Sequence, residues 1–222
     1  MGVIVVNTKA YEEGVGDRAV ELAKIMEKVG KEYDVEMIIA VQPCDIYRVA
    51  NETKIKVFCQ HIDAIKYGSH TGWILPHAIK EAGARGTLIN HSEHRMKIED
   101  IFSASRIASQ IGLERIICAS VVEIASAVAC FMPEYVAIEP PELIGGDISV
   151  TKAKPEVVSR AVEAVKKVNE KVKVLCGAGI KDGKDVAKAI ELGTEGILVA
   201  SGVVKAKDKE KVLVEMAEAM VR

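Results

Sequence analysis

KVLCGAGIKDGKDVAKAIELGTEGILVA, residues 173–200, carries two apolar runs separated by one amphipathic stretch. The runs at 173–177 and 195–200 read as strands. The stretch between them reads as a helix that stops at Gly193, a residue type favoured just past a helix end. A strand, a helix and a second strand in immediate succession imply two parallel strands joined by a crossover. The segment GAGIKDG, 177–183, resembles a dinucleotide-binding fingerprint. Asp182, however, stands where that fingerprint needs its third glycine. The next strand ends in Ala200 and Ser201 rather than in the acid that would hold a ribose. The stretch is therefore one βα unit of a parallel sheet, without a nucleotide signature.

The same unit recurs along the chain. Strands are predicted at 3–7, 36–41, 56–62, 86–92, 115–120, 134–139, 173–177 and 195–200, each followed by a helix-period stretch. The clearest helices cover 17–28, 98–111, 155–168 and 209–220. Pro155 suits a first helical turn, and Gly83 and Gly112 suit helix stops. Eight units in 222 residues leave under 30 residues each, a compact count for a (β/α)8 barrel, here a single domain over 1–222. An open doubly wound sheet would need fewer strands or more residues spent in insertions. No Pro- or Ser-rich linker and no low-complexity segment divides the chain.

Hydrophobic residues form 49% of the chain, charged residues 28%, and the net charge is −2. Such a mixture supplies a sizeable core and carries no basic excess for nucleic acid or anionic lipid. No stretch approaches the ~18 apolar residues of a membrane span. Cys44, Cys59, Cys118, Cys130 and Cys176 form no CxxC pair. They read as reduced thiols of a cytoplasmic protein, mostly small core residues.

In a parallel barrel the C-terminal strand ends form one face, where sites are built. Polar residues collect at those predicted ends. Asn7 and Lys9 end the first strand, and a spacing of two puts both on one face of an extended chain. NHSEHR, 90–95, ends the fourth strand. VAIEPPELIG, 136–145, delivers Glu139 at the end of the sixth, before two prolines and a flexible Gly145–Gly146 pair. This pattern suggests a carboxylate base under a loop that can close. The small residues of CGAG, 176–179, and of ASG, 200–202, leave backbone N–H groups open to an anion. Taken singly, Lys9 reads equally as a solvated lysine, His91 as a satisfied buried histidine, and the glycines as tight turns. Their coincidence at the strand ends of one barrel favours a site. No metal is expected: His61, His70, His77, His91 and His94 form no HExxH motif. No phosphate loop of the GKS or GKT type is present.

With these residues in place, the chain resembles the triosephosphate isomerases, in the short form typical of archaea. The resemblance rests on NTK (7–9), CQHID (59–63), GSHTG (68–72), NHSEHR, EPPELIG, KAKPE (152–156), LCGAGI (175–180) and ASGVVKAKD (200–208), and so spans essentially the whole chain. It implies a TIM barrel without a cofactor that interconverts two triose phosphates. Glu139 would be the base, His91 the electrophile that polarises the carbonyl, and Lys9 the cation facing enediolate and phosphate, with Asn7 supporting it. Glu93 would be a carboxylate behind Lys9 and His91. Ile144, Gly145, Gly179, Ala200 and Ser201 would offer backbone contacts to the phosphate. The resemblance also implies a homotetramer, or alternatively a dimer, with residues 63–73 at an interface.

The lid departs from the family pattern. It reads IGGDISV, 144–150, where relatives usually have IGTGIPV, and Asp147 is expected to face solvent. Gly179 stands where bacterial and eukaryotic relatives usually carry serine. Two other readings remain open on the residues: a different phosphosugar barrel, and a non-catalytic barrel that binds a phosphorylated metabolite.

Overall fold

The computed structural model describes residues 2–140 and 155–221. Its strands are β1 (Val3–Asn7), β2 (Glu36–Val41), β3 (Lys56–Cys59), β4 (Gly86–Ile89), β5 (Glu114–Ala119), β6 (Tyr135–Ile138), β7 (Lys173–Cys176) and β8 (Gly196–Val199). They pair in chain order, all parallel, and β1 closes on β8 with Val3 opposite Gly196. The barrel expected from the alternation of runs is the observed architecture.

Burial explains why these strands lack a polar alternation. On each strand, successive side chains point to opposite faces, and here both faces are covered. Val3, Val5, Ile38, Ala40, Phe58, Leu88, Ile116, Leu175 and Leu198 fill the barrel interior. Their neighbours Ile4, Val6, Ile39, Val41, Val57, Ile117 and Val174 pack outward against the helices. The fully buried Phe58 ring needs space inside the barrel, and Gly86 supplies it. A Cβ at that position would lie 2.4 Å from Phe58 Cζ and 2.6 Å from the Glu114 carbonyl oxygen.

Nine α-helices occur among the described residues, one more than the eight predicted: α1 (Asp17–Tyr33), α2 (Ile46–Glu52), α3 (Pro76–Glu81), α4 (Ile98–Gln110), α5 (Val122–Ala129), α6 (Pro155–Val168), α7 (Gly183–Glu191), α8 (Ser201–Val204) and α9 (Lys209–Met220). The additional helix is the short α8, directly after β8. Asp182, which breaks the dinucleotide pattern, is the N-cap of α7: its side chain accepts the Lys184 and Asp185 N–H groups.

Charged residues lock the N-terminal end of the barrel. Lys56 Nζ lies 2.7 Å from Glu36 Oε1 and 2.6 Å from Glu114 Oε1. Arg115 donates to Glu134 through its backbone N–H and two guanidinium nitrogens, at 2.7–3.1 Å.

Several strands stop short of their predicted ends. β4 ends at Ile89 rather than Ser92 because Asn90 turns the chain with a left-handed φ of 61°. β3 ends at Cys59 rather than Ile62. His91 and Glu139, predicted within the ends of the fourth and sixth strands, therefore lie in the turns just beyond β4 and β6, whereas Asn7 is the last residue of β1.

Candidate active site

Of the ten residues given roles from the sequence, seven open on one cavity of about 400 Å³: Asn7, Lys9, His91, Glu139, Gly179, Ala200 and Ser201. The cavity lies at the C-terminal ends of the strands. Ile144 and Gly145, with Gly146 and Asp147 of the lid, lie outside the described residues.

Lys9 does not reach the cavity by strand alternation, contrary to the expectation drawn from its spacing with Asn7. β1 ends at Asn7, and Lys9 takes a left-handed backbone with φ 49°. A non-glycine residue there costs of order 1–3 kcal/mol and persists only where neighbours over-determine it. Here they do so. The Lys9 N–H donates to Asn7 Oδ1 at 2.9 Å. The Lys9 carbonyl accepts from Gln60 Nε2 at 2.9 Å and from Gln42 Nε2 at 3.2 Å. The side chain, 16% exposed, then reaches Glu93 Oε1 at 2.7 Å. Glu93 thus stands beside both Lys9 and His91: its other oxygen lies 3.7 Å from His91 Nδ1.

Glu139 is 2% exposed, one residue beyond β6. Its N–H donates to the Ala119 carbonyl at 2.7 Å, so it continues the β5–β6 ladder and its Cα is fixed. One carboxylate oxygen accepts the Ser92 N–H at 3.1 Å. The other lies 3.1 Å from His91 Nε2. The Glu93 N–H donates to His91 Nδ1 at 3.2 Å, so Nδ1 offers its lone pair and the ring proton sits on Nε2. His91 is thereby a donor aimed into the cavity. Gly177 forms the wall behind the carboxylate. A Cβ there would stand 2.8 Å from Glu139 Cγ.

Burial keeps the neighbouring thiols protonated. It pushes Cys59 and Cys176 up to about 12. Cys118 is also raised, first by burial and then by the adjacent Glu139 charge. These three are core residues, as expected, whereas Cys44 and Cys130 are exposed. Beside the cavity, the His61 and His94 rings stack at 4.0 Å. Burial holds His61 below its ordinary value, although Asp63 Oδ1 at 3.2 Å opposes that effect. Among the described residues no group of three or more His, Cys, Asp or Glu side chains is arranged to hold a metal ion. No described helix is long and apolar enough to cross a membrane.

Sequence reasoning gave no role to Gln42, Gln60 or the Ser92 N–H, and read Gly177 only as part of an anion-ready loop, not as the wall behind Glu139. Gln60 and Ser92 lie inside the motifs CQHID and NHSEHR, but no local pattern reveals what they touch. Gln42 directly follows β2, so the same strand-end rule that selected Asn7 would have found it.

The cavity combines a buried carboxylate, an imidazole N–H and an ammonium. That set can remove a proton next to a carbonyl while it stabilises the developing oxyanion. In the observed arrangement Glu139 and His91 touch one another. Any molecule that is to lie between the carboxylate and the imidazole must first break this contact.

The family model described as Triosephosphate isomerase matches residues 2–220. Similar curated proteins carry that name. The chain is 52% identical to one from Methanothermus fervidus over 98% of both chains. It is 51% identical to one from Archaeoglobus fulgidus over 97% of both. It is 50% identical to one from Methanocaldococcus jannaschii, over 96% of this chain and 98% of the relative.

Proposed function

The chain belongs to the triosephosphate isomerase family, and from that premise we propose that Glu139, His91 and Lys9 together interconvert dihydroxyacetone phosphate and D-glyceraldehyde 3-phosphate. The observation that carries this reading is the convergence of all three on one cavity at the C-terminal barrel face. Glu139 takes a proton from the carbon next to the carbonyl and returns it to the neighbouring carbon, so the step is redox-neutral within the substrate. His91 Nε2–H donates to the oxygen on which charge develops, a division of labour established for this family. Lys9 offsets charge on the enediolate and the phosphate. Gly179, Ala200 and Ser201 provide the backbone contacts of the phosphate end, completed by Ile144 and Gly145. Closure over the enediolate keeps water out and prevents loss of phosphate.

The test is a coupled assay in which dihydroxyacetone phosphate formed from glyceraldehyde 3-phosphate is reduced with oxidation of NADH. Glu139→Gln should fold normally and lose about 10²–10⁴ in turnover, the usual contribution of a general base. Near-wild-type turnover in the folded variant would remove Glu139 from the mechanism.

We also read the protein as a cytoplasmic homotetramer, with a dimer as the alternative. Trp73, 59% exposed, and Tyr67, 72% exposed, stand on the segment implied as an interface, and such aromatic exposure favours a partner surface. A sedimentation mass near the 24.0 kDa of one chain at micromolar concentration would contradict the oligomer.

A further inference from the structure

Tyr11 lines the cavity beside Lys9, and the sequence attached no role to it. Lys205 Nζ stands 4.1 Å from the centroid of its ring. Lys205 directly follows α8, and its N–H donates to the Ser201 carbonyl at 3.1 Å. Lys205 is exposed and does not itself line the cavity, but its ammonium lies over the ring of a residue that does, and its backbone is bonded to Ser201, which lines the cavity as well. A second contact joins the same two pieces of chain. Gly14 is buried, and a Cβ there would lie 2.7 Å from Thr8 Cβ and 3.2 Å from Val204 Cγ1. The segment that carries Lys9 thus packs closely against α8 and the residue that follows it.

The charge around the cavity explains why this matters. Lys9 and Lys181 line it, but Glu139 lines it too and Glu93 is paired to Lys9. Among the described residues these four formal charges sum to zero, so together they exert little net attraction on a doubly charged phosphate. A lysine held over an aromatic face has already surrendered much of its conformational freedom, and its charge stays in one place.

We propose that Lys205, held by Tyr11, is a further cation that attracts the substrate phosphate to the isomerase site through its field, without direct contact. The inference rests on the isomerase reading for its substrate, although its phosphate chemistry can be tested separately. Lys205→Met keeps the length and apolar stem and removes the charge. It should raise the inhibition constant of inorganic phosphate, and KM for glyceraldehyde 3-phosphate, by about threefold to tenfold, the scale of one nearby charge. The loss should fall on KM more than on kcat. The fall of kcat/KM with added salt should become shallower. Lys205→Arg and Tyr11→Phe, which preserve the cation and the ring, should recover most of the affinity. Tyr11→Ala should fall between wild type and Lys205→Met.

An unchanged phosphate inhibition constant and an unchanged salt slope in Lys205→Met would overturn the proposal. A lowered Tm alongside those unchanged values would make the pair a structural strut only. Calorimetric titration with inorganic phosphate keeps the two readings apart. A wild type that binds phosphate but does not isomerise sinks the isomerase reading alone. An active wild type whose phosphate affinity ignores Lys205→Met sinks this proposal alone.

Discussion

Gly177→Ala should damage catalysis through one added methyl group. The Cβ would stand 2.8 Å from Glu139 Cγ, 3.1 Å from the Ile138 carbonyl oxygen and 3.5 Å from Ala137 Cβ. The Ile138 contact can yield little, because Gly177 N–H is bonded to that same carbonyl at 2.8 Å in the β6–β7 ladder. Relief must come from the glutamate. Restoring an ordinary contact of 3.4 Å moves Glu139 Cγ by about 0.6 Å. A displacement of 1 Å at a reacting group can cost about 10²-fold, so a fall in kcat of roughly 10-fold to 30-fold is expected. Overpacking should also lower stability by about 1–3 kcal/mol. Steady-state kinetics of glyceraldehyde 3-phosphate isomerisation reads the first effect, and thermal unfolding the second. A folded Gly177→Ala protein with kcat within about twofold of wild type would refute the argument that this wall positions the carboxylate.

Two further outcomes follow from contacts already described. Lys9→Ala removes a charge-assisted contact worth about 1.5–3 kcal/mol and should lower kcat/KM by roughly 10-fold to 150-fold; unchanged kcat and KM would reduce Lys9 to a turn residue. Glu134 tests the barrel's N-terminal lock through pH. Burial pushes its carboxyl up, but the Arg115 hydrogen bonds outweigh burial and hold it below its ordinary value. A depressed carboxyl stabilises the fold above its unfolded pKa of about 4.3 and loses that contribution as pH falls through the folded value. The Glu134 side chain is 40% exposed, so solvent screens part of this contact; Glu134→Gln should lose about 0.5–1 kcal/mol at neutral pH, and the Tm gap to wild type should close below about pH 4. A gap that persists undiminished in acid would show that the charge is not what stabilises this contact.

The barrel was legible in the chain because its cause is local. Short apolar runs such as 3–7 and 173–177 cannot leave either face in water, and the helix-period stretches between them supply the cover. Repeated eight times, that pattern leaves a closed parallel sheet as the compact solution. The chemistry-bearing residues were legible for a related reason: a charged or imidazole group at the end of a buried strand is anomalous wherever the strand later sits. Glu139, His91, Lys9 and Asn7 were singled out in this way, the family motifs point to the same positions, and the structure brings all four to one cavity.

What the sequence could not determine was how those residues meet. The left-handed turn at Lys9 depends on Gln60, far along the chain and two strands away. The resting place of Glu139 depends on Ser92 N–H and on the absent side chain at Gly177, both from other strands. The Tyr11–Lys205 contact joins the first turn of the barrel to the last. None of these partnerships has a local signature, because each side chain's propensity is the same whichever strand faces it. Closing β8 onto β1 brings the two ends of the chain together at the Tyr11–Lys205 contact, and packing decides which donors and which gaps surround each charge.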